Sequence, residues 1–234
     1  MKRFASLVAA LLLASTAQAQ IDFSDNFDSE NSGLTQLQYN SFRQWTVFGP
    51  RDSDGQLLGN VDLVGMPNSF GITCAGGSGS CVDLDGTPGP AGIRLTKPFD
   101  LKIGDRLRFS FDVSGNQRAP GTADFIGLTF FPVSPFKVIL SGNFVAIGEV
   151  EIEDGDYFDQ RINHDDVWTT YFVELTALEA GSVSFGLSTD SGDNIGPLVD
   201  NVRANIVPEP STYALMATGL TLLGALARRK SNAA

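Results

Sequence analysis

Phe99-Asp-Leu-Lys-Ile-Gly-Asp-Arg-Leu-Arg-Phe-Ser-Phe-Asp-Val-Ser-Gly-Asn116 is the stretch that decides the fold. Within it Leu107, Phe109, Phe111 and Val113 alternate with Arg106, Arg108, Ser110 and Asp112. Successive side chains of a strand point to opposite faces, so these residues form a strand with one face in a core and the other in water. Gly104-Asp105 before it and Gly115-Asn116 after it are turn signals.

The same period spreads outward in both directions. Val183, Phe185 and Leu187 repeat it. So do Leu198, Asp200, Val202, Ala204 and Ile206, set against Val199, Asn201, Arg203 and Asn205. Further strands are expected at Gln44–Phe48, Asn60–Val64, Ser80–Leu84, Gly92–Lys97, Phe125–Phe130, Phe136–Leu140, Phe144–Ile152 and Val167–Leu175. Turn signals at Asp54-Gly55, Asp85-Gly86, Pro88-Gly89-Pro90, Asp154-Gly155, Ala180-Gly181 and Ser191-Gly192 separate them. No stretch between Gln20 and Pro210 sustains a helical period, and no repeat of 20–50 residues is visible. The expected fold class is therefore all-β, an antiparallel sandwich or barrel in one domain over residues 20–206.

The order of Ser80-Cys-Val-Asp-Leu-Asp-Gly86, Ala91-Gly-Ile, Phe99–Asn116, Trp168-Thr-Thr-Tyr-Phe-Val and Ile195-Gly-Pro-Leu-Val-Asp-Asn-Val202 resembles galactose-binding-like jelly-roll domains. Carbohydrate-binding modules share that fold. The resemblance spans most of residues 60–206 and implies a jelly-roll-like β-sandwich; it says less about function.

The two ends read differently. Met1-Lys2-Arg3 is basic, Phe4 to Ala14 is apolar, and Ala17 and Ala19 give the small-x-small cleavage pattern before Gln20. Residues 1–19 are thus a secretory signal peptide, a substrate for signal peptidase. At the other end Val207-Pro208-Glu209-Pro210-Ser211 precedes an uncharged run, Tyr213 to Ala227, and then Arg228-Arg229-Lys230. The prolines make the first part stiff and extended. A helix from Ser211 to Ala227 would be about 25 Å long, near the short limit for a bilayer core of roughly 30 Å. The basic cluster stops transfer and keeps that end cytoplasmic. Residues 207–234, with Pro208, Glu209 and Pro210 in order before the helix and basic end, resemble the PEP-CTERM sorting signal. That family consists of exported proteins of Gram-negative bacteria, many of them makers of exopolysaccharide. The resemblance implies recognition and processing by an exosortase, a membrane cysteine protease. The chain is then exported, held in the membrane by its C-terminal helix before processing, and afterwards at the cell surface or outside the cell.

Charge and cysteines narrow the partners. Between the signal peptide and the apolar helix lie 27 acidic and 11 basic side chains, a net charge of −16. That disfavours nucleic acid and anionic lipid and leaves calcium, neutral sugars and basic surfaces. Cys74 and Cys81 flank a Gly/Ser loop, and in an oxidising compartment they are expected to pair. His164, the sole histidine, sits in a polar turn, which leaves no Ser/His/Asp triad and too few ligands for zinc. Glu149, Glu151 and Glu153 read as a charged edge strand, and Asp52-Ser-Asp54-Gly55 as a turn. Trp45, Trp168, Tyr39, Tyr157 and Tyr171 are the candidate sugar platforms, with core packing the competing role and the preferred one for Trp168.

One metal expectation follows from the jelly-roll resemblance, in which a structural calcium commonly joins the first strand to the last. Asp200 alternates with apolar Leu198 and Val202, and an inward carboxylate needs a partner. Asp25 or Asp28 could share Ca²⁺ with it; the simpler alternative is that Asp200 accepts from a turn N–H or meets an arginine. The whole predicts an exported glycan-binding or structural module associated with exopolysaccharide. A secreted glycan-active enzyme is the alternative, and it requires a facing acidic pair in an aromatic cleft.

Overall fold

The computed structural model describes residues 20–207. The signal-peptide residues Ala17 and Ala19, the motif Pro208-Glu209-Pro210, the apolar helix and Arg228, Arg229 and Lys230 lie outside the described residues. Among the described residues no helix is long and apolar enough to cross a membrane.

The described residues form fourteen strands: β1 Gln20–Asp25, β2 Trp45–Phe48, β3 Asp62–Gly65, β4 Ser80–Asp83, β5 Gly92–Leu95, β6 Phe99–Leu101, β7 Arg106–Ser114, β8 Ala123–Pro132, β9 Phe136–Gly142, β10 Gly148–Ile152, β11 Tyr157–Asn163, β12 Thr169–Ala177, β13 Gly181–Ser188 and β14 Leu198–Val207. One sheet runs β10-β9-β12-β7-β14-β4-β3, with β1 also on β14; the other runs β11-β8-β13-β5-β2, with β6 on β13. Every pairing is antiparallel. From β10 onward successive strands alternate between the sheets, which is jelly-roll winding of a β-sandwich.

The deciding stretch behaves as its pattern requires. Leu107, Phe109, Phe111 and Val113 of β7 are buried between the sheets, while Arg106 and Arg108 meet Glu174 of β12 on the outer side. Phe109 stacks on Phe185 of the opposite sheet with ring centroids 4.4 Å apart, so the two strands most legible in the sequence clasp the sandwich together.

Three features depart from the sequence reading. Strands β1, β6 and β11 were not foreseen. The expected strand over 144–152 shrinks to β10, because Phe144 turns into the core and Gly148 adopts φ +91°. The alternation in β14 is broken by a bulge: Asp200 faces Asp112, but the next register partner is Arg203 with Ser110, and Asn201 takes φ +48°. Val199 and Val202 therefore both enter the main core, while Leu198 joins a second cluster with Val64, Ile72, Cys74 and Cys81. Asp200 does not share a face with Val202; it lies on the Leu198 side, beside the disulfide loop.

Candidate functional site

The outward side of the six-stranded sheet carries an aromatic surface built on glycines. On β8 Ile126, Leu128 and Phe130 fill the core, so Phe125, Gly127, Thr129 and Phe131 face out. By the same alternation Gly92 and Arg94 of β5, Thr46 and Phe48 of β2, and Ser184, Gly186 and Ser188 of β13 face out with them. Register puts Tyr157 opposite Thr129, Asp159 opposite Gly127, Ser188 opposite both Gly127 and Gly92, and Phe48 opposite Gly92.

Glycine inside a strand leaves the backbone open to close approach, and here aromatic rings use it. A Cβ at position 127 would lie 2.1 Å from Tyr157 Cε2. One at 92 would lie 2.5 Å from Phe48 Cε1, and one at 186 would lie 2.8 Å from both Phe48 and Phe131. The rings thus extend over bare backbone. Tyr157 remains 44% exposed; Phe48 and Phe131 are half-buried and meet edge to face at 5.4 Å. Gly127 and Gly92 are two strand spacings apart, about 10 Å, with Ser188 between them. Arg94 holds its guanidinium 4.0 Å from the Phe131 ring centroid and donates from Nε to Ser184 Oγ at 3.3 Å. Partial burial, with Asp159 and Asp190 adding to it, pushes the Tyr157 hydroxyl up to about 12, so it is a neutral donor at any physiological pH.

The other sequence candidates fall elsewhere. Trp45 is in the core and donates to Asp25 Oδ2 at 2.9 Å; Tyr39 is buried against Glu30; Tyr171 packs on Phe111 and Phe144. Trp168 packs on the disulfide cluster and donates to Thr73 O, lining an open hollow of about 370 Å³ with His164 and Val167. His164 Nδ1 accepts from Gly121 N in its turn. Glu149 and Glu151 lie on the sheet's edge strand, and Asp52 accepts from Asp54 N and Gln56 N in a turn. Cys74 and Cys81 are disulfide-bonded.

The three carboxylates expected to share calcium are only partly brought together. Asp28 accepts from Ser80 N and Asp200 from Ala75 N, both on the disulfide loop, and their charges act on one another. Asp25 turns away to Trp45 Nε1 and Phe27 N. Among the described residues no group of three or more acidic, histidine or cysteine side chains is set to hold a metal ion. Burial, opposed by N–H donors from Asn201 and Ala75 and reinforced by Asp28 and Asp112, lifts the Asp200 carboxyl to about 7.

A further acidic group closes the end of the sandwich formed by the 84–91, 115–122 and 189–197 loops. Asp83 pairs with Arg118 at 2.5 Å and accepts from Gly196 N; Asp85 accepts from Asp193 N and Ile195 N; Asp62 accepts from Gln38 N. These carboxylates pin loop backbones that no strand pairs.

The sequence names Tyr157 as a platform but gives Phe48 and Phe131 no role beyond the strand Gln44–Phe48 and the neighbourhood of Phe125–Phe130. The available signal was glycine in strand interiors at 92, 127 and 186.

Residues 207–230 match the PEP-CTERM protein-sorting motif. The chain is thus an exported protein with a C-terminal sorting segment of the kind exosortases process. No curated protein matches the sequence. Among solved structures, the chain is similar to the CBM22-1 xylan-binding domain of Paenibacillus barcinonensis Xyn10C, at 12% identity over 83% of this chain and 99% of that one, TM-score 0.45. It is similar to the C-terminal family 22 carbohydrate-binding module of Clostridium thermocellum Xyn10B, at 13% identity over 80% and 94%, TM-score 0.40. It is also similar to the Stig cyclase Fisc of Fischerella sp. TAU, at 16% identity over 82% and 99%, TM-score 0.45.

Proposed function

We propose that this exosortase-sorted chain is a polysaccharide-binding surface protein and that it binds on the outer face of its six-stranded sheet. The observation that carries the proposal is the placing of Tyr157, Phe48 and Phe131 over Gly127, Gly92 and Gly186. A pyranose has an apolar C–H face and hydroxylated edges. It needs exposed ring surface beneath it and short polar groups beside it. Thr46, Ser188 and Arg94 are those groups. The two platforms are far enough apart to meet two separate sugars of one extended chain. Exposed aromatic surface of this kind is otherwise a liability in a protein displayed outside the cell.

Binding is favoured over hydrolysis by where the carboxylates of this sheet lie. Asp159 is on β11 and Asp100 is on β6 opposite Ser182, at opposite edges of the sheet, and Asp190, which acts on Tyr157 together with Asp159, is in the loop after β13. In the cell the polysaccharide is the exopolysaccharide into which the sorted protein is delivered.

The test is retention of the full-length chain by polysaccharide-containing gels, with Tyr157→Ala and Phe48→Ala alongside. Loss of an aromatic anchor costs about 2 kcal/mol, roughly 30-fold in affinity. Retention that survives both substitutions refutes the assignment to this face. Release of reducing ends from a retained polysaccharide would turn the reading to the enzyme.

A further inference from the structure

We infer that the glycan taken by this face carries carboxylates, that is, uronic-acid residues, and that Arg94 is the group that selects them; this rests on the outer face being the glycan site. Arg94 stands on β5 between Thr46 of β2 and Gly186 of β13. Two contacts fix its plane. One guanidinium face rests 4.0 Å from the Phe131 ring centroid, and Nε donates to the buried Ser184 Oγ. The Nη edge is the part left for a ligand.

Few charges share its part of the sheet face. Among the described residues the ion pairs join Arg106 and Arg108 to Glu174, Arg118 to Asp83 and His164 to Asp165; Arg94 is in none of them. The outward positions of β2, β5 and β13 are Thr46, Phe48, Gly92, Arg94, Ser182, Ser184, Gly186 and Ser188. No carboxylate is among them, although residues 20–206 hold 26 acidic side chains. Among the described outward positions of β2, β5 and β13, Arg94 is therefore the one charged side chain, and it forms no ion pair.

Chemistry decides what it takes. Threonine and serine hydroxyls already stand on the face and suffice for neutral sugar hydroxyls. A planar guanidinium held by its face and its Nε offers two parallel N–H donors, the arrangement that matches a carboxylate. Phe48 and Arg94 are diagonal neighbours across the β2–β5 pair, about 7 to 8 Å apart. A sugar ring resting on Phe48 thus brings a ring carboxylate within reach of Arg94. The net charge of −16 opposes a polyanion at long range, but the Debye length at physiological salt is only about 8 Å. The nearby acids of the sheet face are Asp159 on β11 and Asp190 in the loop after β13, both acting on Tyr157, and Asp100 on β6; none is on β2, β5 or the outward positions of β13 beside Arg94.

The experiment measures binding of the full-length chain to oligomers of polygalacturonate, alginate and hyaluronan, each beside its carboxyl-reduced counterpart. Reduction removes the charge and keeps the ring, so wild-type protein alone tests the inference whatever the variants do to folding. The expected result is at least tenfold tighter binding of one uronate oligomer than of its reduced form. Arg94→Gln should bring the two affinities together by weakening only the uronate, and Arg94→Lys should recover part of the preference. Equal binding of the two forms in all three pairs, with Tyr157→Ala weakening both, overturns the uronate inference and leaves the glycan face standing. Binding that Tyr157→Ala and Phe48→Ala leave untouched overturns both.

Discussion

Replacing Gly127 by alanine tests the construction of the face without touching a ligand-facing side chain. The backbone at 127 is extended strand paired with Asp159 and Ser188 and lacks the positive φ that would exclude alanine. The new methyl would stand 2.1 Å from Tyr157 Cε2 and 2.5 Å from Cζ and Oη. Carbon atoms rest at about 3.5 to 4.0 Å, so the ring must retreat by roughly 1.5 Å. Tyr157 opens β11 and is 44% exposed, so it can swing outward rather than push the strand. The fold changes little: a tolerated Gly→Ala exchange gains about 0.4 to 1 kcal/mol through the unfolded chain, which offsets the lost ring contact. Tm should move by no more than about 4 °C. Affinity for the retained polysaccharide should fall as it does in Tyr157→Ala, by about 10- to 30-fold. Both changes act through one ring, so the double variant should bind no worse than Tyr157→Ala alone, within about 0.5 kcal/mol. Calorimetric titration with melting curves reads all of these. Unchanged affinity in Gly127→Ala, where Tyr157→Ala weakens binding, would refute the reasoning, because the ring's seat over 127 would then not matter to the ligand.

The remaining expectations are direct. In a host with exosortase, mass spectrometry of the exported protein should show a C-terminus ending at or near Pro208–Pro210; a chain intact through Ala234 contradicts processing. Thiol titration of denatured, unreduced protein should find no free cysteine, and opening the eight-residue loop from Cys74 to Cys81 by double serine substitution should cost about 2.5 kcal/mol. Stability should fall as pH rises from about 4 to 7. Asp200 and Asp83 titrate near 7 in the folded state against 3.8 unfolded, so the native protein binds more protons throughout that window, and their contribution is complete only below it. Asp200→Asn should flatten part of that slope, and an unaltered slope would show that Asp200 does not carry it. Melts with calcium and with chelator decide whether Asp25, Asp28 and Asp200 share a Ca²⁺. With the Asp200 oxygens on Ala75 N and Asn201 N, equal Tm values are expected. A calcium-dependent rise that Asp200→Asn abolishes would establish the shared metal.

How far the sequence could be read follows from what each element asks of its residues. Strands β7 and β13 were plain because each buries one face, and burial writes itself as alternation. Strand β11 was passed over because Gln160 interrupts the apolar series between Phe158 and Ile162. In β14 the apolar positions were found but their sides were not. A bulge adds one residue, and its mark is the positive φ of Asn201, which composition does not announce. That single residue separates Asp200 from Val202 and carries the carboxylate from the core face to the disulfide loop. The outer face of the six-stranded sheet was half legible for a related reason. A phenylalanine in a strand reads as core, and Phe48 or Phe131 differs from Phe130 only in parity, which is settled once register is known. The glycines at 92, 127 and 186 carry the same information in another form. They weaken strands, so three of them on neighbouring strands need a use, and the use is the rings above them. The acidic residues could not be sorted in this way. Asp25, Asp62, Asp83, Asp85 and Asp200 each accept an N–H from a segment distant in the chain or from the local turn, and what separates them is which backbone the fold brings to each. For them the role is a property of the loops, and loops are set by the strands they join.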